Sequence, residues 1–132
     1  MMTIFTNGCF DILHRGHIEL FSYAKSLGTK LVVGVDSNEK VKKDKGLNRP
    51  INCLLDRMMI LASIRYIDEV CSFDSPEGLI CLVCEVKPDI MVVGSDWKGK
   101  PIVGSAHAGE VKYFDRLEEY STTKIIQSII NR

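Results

Sequence analysis

The sequence lacks a surplus of either charge, any long apolar run and any paired set of cysteines, and each absence removes a class of protein. Lys plus Arg and Asp plus Glu both number 17, so the basic excess of a nucleic-acid-binding chain is missing. No apolar stretch approaches the ~18–20 residues that span a bilayer, and the N-terminus is not built like a signal peptide. Five cysteines (Cys9, Cys53, Cys71, Cys81 and Cys84) are an odd number, scattered through apolar segments. They fit buried free thiols better than a disulfide framework, and a cytoplasmic chain is the expectation. Cys81 and Cys84 form a C-x-x-C, but no second pair and no nearby histidine completes a metal set, so both are expected in the core. No repeat, low-complexity segment or linker interrupts the chain. One domain over residues 1–132 is expected, with enough length for a real core.

What is there alternates. Apolar runs suited to buried parallel strands recur at residues 3–6, 30–35, 69–73, 90–93 and 110–114. Helical spacing fills most of the gaps. Ile18, Phe21, Ala24 and Leu27 mark one face; Leu54, Met58, Leu61 and Ala62 a second; residues 79–86 a third. Ile125, Ile126, Ile129 and Ile130 make a fourth near the C-terminus. This pattern predicts an α/β fold, a doubly wound five-stranded parallel sheet with right-handed crossovers and helices on both faces. Residues 40–52, polar and basic, read as a loop after a short helical start; residues 94–109, rich in glycine, read as another. Both follow strands, on the side where open sheets bind ligands.

The chain is organised around Asn7-Gly8-Cys9-Phe10-Asp11-Ile12-Leu13-His14-Arg15-Gly16-His17. An apolar run precedes it and an amphipathic segment follows, which is strand, tight turn and helix. Two imidazoles and the free N–H groups of the first helical turn then face one point, and that point suits a phosphate. Gly16 permits close approach of a ligand to the backbone. Zinc would need a third ligand, and His107 is the one histidine left, without a telling spacing. Ser121-Thr122-Thr123 opens the last helix. A capping box would place Glu or Gln three residues after Ser121, where Lys124 stands, so an external anion is expected at this turn beside any capping.

Thr6-Asn7-Gly8-Cys9-Phe10-Asp11 with His14-Arg15-Gly16-His17 resembles the signature of the cytidylyltransferase-like nucleotidylyltransferase superfamily. The likeness extends along the chain. Asn48-Arg49-Pro50-Ile51-Asn52, Pro88-Asp89 and Ile102-Val103-Gly104-Ser105 resemble heptose 1-phosphate adenylyltransferases. Ile64-Arg65-Tyr66-Ile67-Asp68-Glu69-Val70, Asp96-Trp97-Lys98-Gly99-Lys100 and Arg116 before Ser121 resemble glycerol-3-phosphate cytidylyltransferases. Cys9 departs from the second group, where threonine is frequent.

The resemblance implies a Rossmann-like fold and a reaction. A phosphorylated sugar or polyol attacks the α-phosphorus of ATP or CTP and pyrophosphate leaves, with positioning and charge stabilisation as the protein's share. It implies that His14 and His17 steady the phosphates, and that Lys42 and Lys45 grip them from a mobile basic loop. The nucleotide and its phosphates would meet Thr6, Asn7, Gly8, Cys9, Phe10, Gly16, Gly94, Asp96, Arg116, Ser121, Thr122 and Thr123. Asp11, Arg57, Arg65 and Trp97 would meet the acceptor, although Arg57 has Asp56 and Glu69 as alternative partners. Mg2+ is expected with the triphosphate and no protein metal cage is expected. A homodimer is implied, with neither nucleic acid nor membrane as partner. The heptose 1-phosphate reading covers more of the chain; CTP with glycerol 3-phosphate is the alternative, and a non-catalytic nucleotide-binding module the remoter one. A class I synthetase fragment is disfavoured, since no Lys-Met-Ser-Lys-Ser loop is present.

Overall fold

A computed structural model describes residues 1–117 and 119–132. The five strands are β1 (Thr3–Gly8), β2 (Lys30–Asp36), β3 (Glu69–Phe73), β4 (Ile90–Gly94) and β5 (Glu110–Phe114). The helices are α1 (Arg15–Ser26), α2 (Asn38–Lys45), α3 (Leu54–Ala62), α4 (Pro76–Val86) and α5 (Thr122–Ile130). Every strand pair is parallel, in the order β3-β2-β1-β4-β5. The expected sheet is therefore present, with strand ends close to those read from the apolar runs. Among the described residues, no helix is long and apolar enough to cross a membrane.

Strand periodicity divides the core between the two faces of the sheet. Ile4, Leu31, Val33, Val35, Ile90 and Val92 point to one side, where Phe21 and Ala24 of α1 and Leu61 of α3 cover them. Phe5, Val32 and Met91 point to the other, beneath Leu79 and Val83 of α4. The centre of the sheet thus has the near-continuous apolar strands of a layer covered on both faces.

The strand order reverses at β1, which lies between β2 and β4. β1 stays in register with β2 along its whole length, from Thr3↔Lys30 to Gly8↔Val35. With β4 it pairs only at Ile4↔Ile90 and Phe5↔Met91. Beyond that point the strands part, and Thr6 Oγ1 spans the gap by donating to Val92 O at 2.9 Å. A crevice opens at the carboxyl ends of β1 and β4, the place where open α/β sheets hold ligands.

Two expectations about elements need correction and a third is given its bounds. The short helical start of the basic stretch runs through Lys45, because Ser37 accepts the Lys40 N–H and Val41 anchors the turn in the core. Only the segment after Gly46 (φ +106°) is irregular. Cys81 and Cys84 are exposed on the outer face of α4, since Leu79 and Val83 are the residues that meet the sheet. The apolar stripe of α5 is only half covered, with Ile129 and Ile130 in the open.

Candidate active site

The crevice is a cavity of about 520 Å3. Its floor is the turn after β1, and that turn is held in place from behind. Phe10 adopts a left-handed backbone (φ +48°), rare for a residue with a side chain. The turn thereby sends its ring inward, below Gly8, where an added Cβ would sit 3.0 Å from Phe10 Cζ. Phe10 then meets His17 edge-on at 5.5 Å and packs on Phe21 at 5.1 Å. The aromatic ring is a platform under His17, while the backbone of the turn faces the cavity.

His14 is the N-cap of α1, with extended backbone, and its N–H donates to His17 Nδ1 at 3.2 Å. That bond fixes the His17 tautomer: Nδ1 accepts, so in the neutral ring Nε2 carries the proton. Burial, and then the nearby His14, Arg116 and Lys45, push the His17 pKa down to about 4. His14 is lowered too, by burial and then by Arg116. Both imidazoles are neutral near neutral pH. Their rings stack with centroids 3.9 Å apart. Gly16 makes this possible, because a Cβ there would lie 2.9 Å from His14 Cε1 and Nδ1.

Other cavity groups arrive from distant parts of the chain. Lys45 reaches it from the end of α2, and Trp97, half-exposed, from the turn after β4. Asp96 and Arg116 face each other across the rim at 3.3 Å. Gly94 leaves room for that pair: a Cβ would stand 2.5 Å from Asp96 Oδ1 and 3.3 Å from Arg116 Cδ. Ser121, Thr122 and Thr123 line the opposite wall. Ser121 Oγ caps α5 by accepting the Lys124 N–H at 3.0 Å, and Thr122 Oγ1 donates to Ile12 O at 2.7 Å. The N-termini of α1 and α5 therefore open on one cavity, with Lys45 and Arg116 beside them. This is an anion-binding environment.

Several residues expected to touch ligand do other work. The Arg57 side chain has no solvent exposure. It donates from Nε to Asn52 O (2.9 Å), from Nη1 to Cys9 O and Asp36 O (both 2.8 Å), and from Nη2 to Asn38 Oδ1 (3.0 Å). Its partners are backbone carbonyls and an amide, neither acceptor nor Asp56 nor Glu69. Asp11 is equally engaged: Oδ2 accepts from Arg49 Nε (3.0 Å) and Ile51 N (2.8 Å), and Oδ1 from Asn52 N (2.8 Å). Burial alone would raise its pKa, but the Asn52 and Ile51 amides and Arg49 outweigh it and hold the carboxyl below its ordinary range. Asp11 thus straps the segment before α3 to the turn at the cavity edge. Arg65 lies on the surface against the Tyr66 ring, and Lys42 is exposed outside the cavity lining. Cys9 is buried, and burial pushes its thiol pKa up.

Sequence reasoning missed Asp36 and Lys40. Asp36 ends β2 inside the crevice, mostly buried, with Lys40 Nζ 3.7 Å away. Burial raises its pKa, against the pull of Lys40. A carboxylate closing a parallel strand beside the switch point was the available signal. The apolar part of the lining, including Phe73, Leu79, Met91 and Ile102, comes from the second face of the core and had no local signature.

The profile of the cytidylyltransferase-like family matches residues 5–128. The chain is similar to the bifunctional protein HldE of Nitratiruptor sp., 51% identical over 126 residues, and to that of Campylobacter fetus, 48% identical over 126 residues. These matches cover 94% and 96% of the chain but 27% of either relative, so the chain spans about a quarter of their length. Among solved structures it resembles the lipopolysaccharide core biosynthesis protein of Thermoplasma volcanium, with a TM-score of 0.74 and 26% identity, over 87% of this chain and 98% of that one. A protein of unknown function from Archaeoglobus fulgidus shares the fold (TM-score 0.66, 18% identity, 91% of this chain and 94% of that one).

Proposed function

The chain belongs to the cytidylyltransferase-like family of nucleotidyltransferases, and from that premise we propose that its cavity transfers an adenylyl group from ATP to heptose 1-phosphate. An oxygen of the acceptor's phosphate attacks the α-phosphorus of ATP. The bond from that phosphorus to the bridging oxygen breaks, and pyrophosphate leaves with the electron pair. The observation that carries the reading is the meeting of two neutral histidines with the N-termini of α1 and α5 on one cavity. Such a set donates hydrogen bonds to phosphoryl oxygens and stabilises charge that develops during in-line transfer. His17 Nε2–H and His14 act on the phosphate that reacts, and Lys45, Arg116 and the first turn of α5 on the departing pyrophosphate.

Mg2+ would neutralise triphosphate charge when bound. Among the described residues no group of three or more His, Cys, Asp or Glu could cage a metal, which fits an ion carried in by the nucleotide with most of its ligands from phosphate and water. Asp96, a half-exposed carboxylate at the rim, is the residue this reading assigns to meet it.

The resemblance to heptose 1-phosphate adenylyltransferases, the HldE relatives and the likeness to a lipopolysaccharide core biosynthesis protein support ATP and a heptose phosphate. Pyrophosphate release with Mg2+ tests this across four pairs, ATP or CTP with heptose 1-phosphate or glycerol 3-phosphate. Release with ATP and the heptose phosphate alone is expected. Release confined to CTP and glycerol 3-phosphate would overturn the choice of both substrates.

A further inference from the structure

Tyr120 has no part in the roles assigned above, yet its ring lines the cavity and reaches the first histidine of the motif. The His14 and Tyr120 rings lie 6.1 Å apart at 17° between planes, an offset stack. His17 stacks on His14 as well, at 3.9 Å and 27°. His14 is thus the ring that both of the others stack on. Gly16 is the hub: a Cβ there would meet His14 at 2.9 Å and Tyr120 Cβ at 3.4 Å. His14 Nδ1 is buried and has no hydrogen-bond partner among the described residues. Ring contacts therefore contribute to orienting this imidazole. Tyr120 itself is held, since its N–H donates to Leu117 O at 3.0 Å and its hydroxyl faces the Arg15 guanidinium.

We propose that Tyr120 is a positioning residue whose ring stacks on His14 and keeps that imidazole against His17, leaving Nε2 for the bound phosphate. This rests on the reading of His14 as a phosphate-binding group. The ring, not the hydroxyl, does the positioning. Because Tyr120 adjoins Ser121, the cap of α5, the same contact joins the two helix N-termini that share the cavity.

The full chain carrying Tyr120→Leu or Tyr120→Phe provides the test. His14 is titrated by NMR of its ring nitrogens in the ligand-free protein, and kcat and KM for ATP are measured with heptose 1-phosphate. His17 from α1, and Arg116 and Tyr120 from the segment before α5, are the titratable and charged groups that act on or stack against His14. A change in His14 titration in Tyr120→Leu therefore reports loss of the ring stacked on it. In Tyr120→Leu the His14 midpoint is expected to rise toward an ordinary imidazole value, while kcat falls on the order of 10- to 100-fold and KM for ATP changes little. Tyr120→Phe, which restores the ring, recovers both. An unchanged His14 midpoint in Tyr120→Leu overturns the proposal, as does failure of Tyr120→Phe to recover it. Absence of turnover in the wild type would count against the proposed reaction, and the titration alone would still decide the role of Tyr120.

Discussion

Charge at His17 is controlled by where its ring lies. The Nδ1 atom is engaged by a backbone amide and the ring is packed on Phe10, so protonation would bury a cation beside Arg116 and Lys45. The folded protein therefore refuses the proton down to about pH 4, whereas the unfolded chain takes it near 6.5. Stability from this group is complete above the unfolded value and is lost as pH falls from there toward the folded one. Unfolding by urea at about pH 7 and about pH 4 should show the wild type losing roughly 3 kcal/mol more than His17→Asn. Equal acid losses in the two proteins would show that His17 is not held neutral by the fold. The histidine pair and the cap at Ser121 were legible in the sequence because their bonds are local, to His17 Nδ1 within one turn and to the Lys124 N–H within one helix start. Arg57 and Asp11 were not, because a guanidinium that satisfies buried carbonyls from several segments looks, in sequence, like one that waits for ligand.

Elements meet at Arg57. Its fork joins the turn after β1, the end of β2, the start of α2 and the segment before α3, which are the supports of the cavity floor. Asn38 shares the junction, its Oδ1 also accepting the Leu54 N–H at 2.8 Å. Removing the guanidinium strands buried carbonyls with no donor, a loss of the order of 3–5 kcal/mol. Arg57→Met is expected to lower stability by that amount in denaturant melts, and Arg57→Lys to recover little, since an ammonium cannot span the same acceptors. A stability within about 1 kcal/mol of wild type for Arg57→Met would contradict the assignment of a structural role. Strands were readable at this scale because burial on both faces makes them apolar runs. α2 was read only as a short helical start because it keeps one residue, Val41, in the core and is otherwise polar. Its signal was the cap at Ser37, not its periodicity. Cys81 and Cys84 were placed in the core on the buried habit of cysteine, yet helix phase, set by Leu79 and Val83, turns them outward.

For the molecule as a whole, topology does the assembling. Reversal of strand order at β1 parts it from β4 after two paired positions, and the opening collects groups from residues 6 to 123. Alternation of strand and helix in the sequence was enough to predict the sheet and the end of it where the cavity opens. It was not enough to predict the apolar lining, which depends on how the second face of the core packs. The most direct test of the account compares wild type with His17→Asn for pyrophosphate release from ATP and heptose 1-phosphate in the presence of Mg2+. The wild type is expected to turn over and the variant to be slower by at least about 100-fold, with its fold intact near neutral pH. Equal rates in the two proteins would remove His17, and with it the phosphate-binding reading of the cavity, from the mechanism.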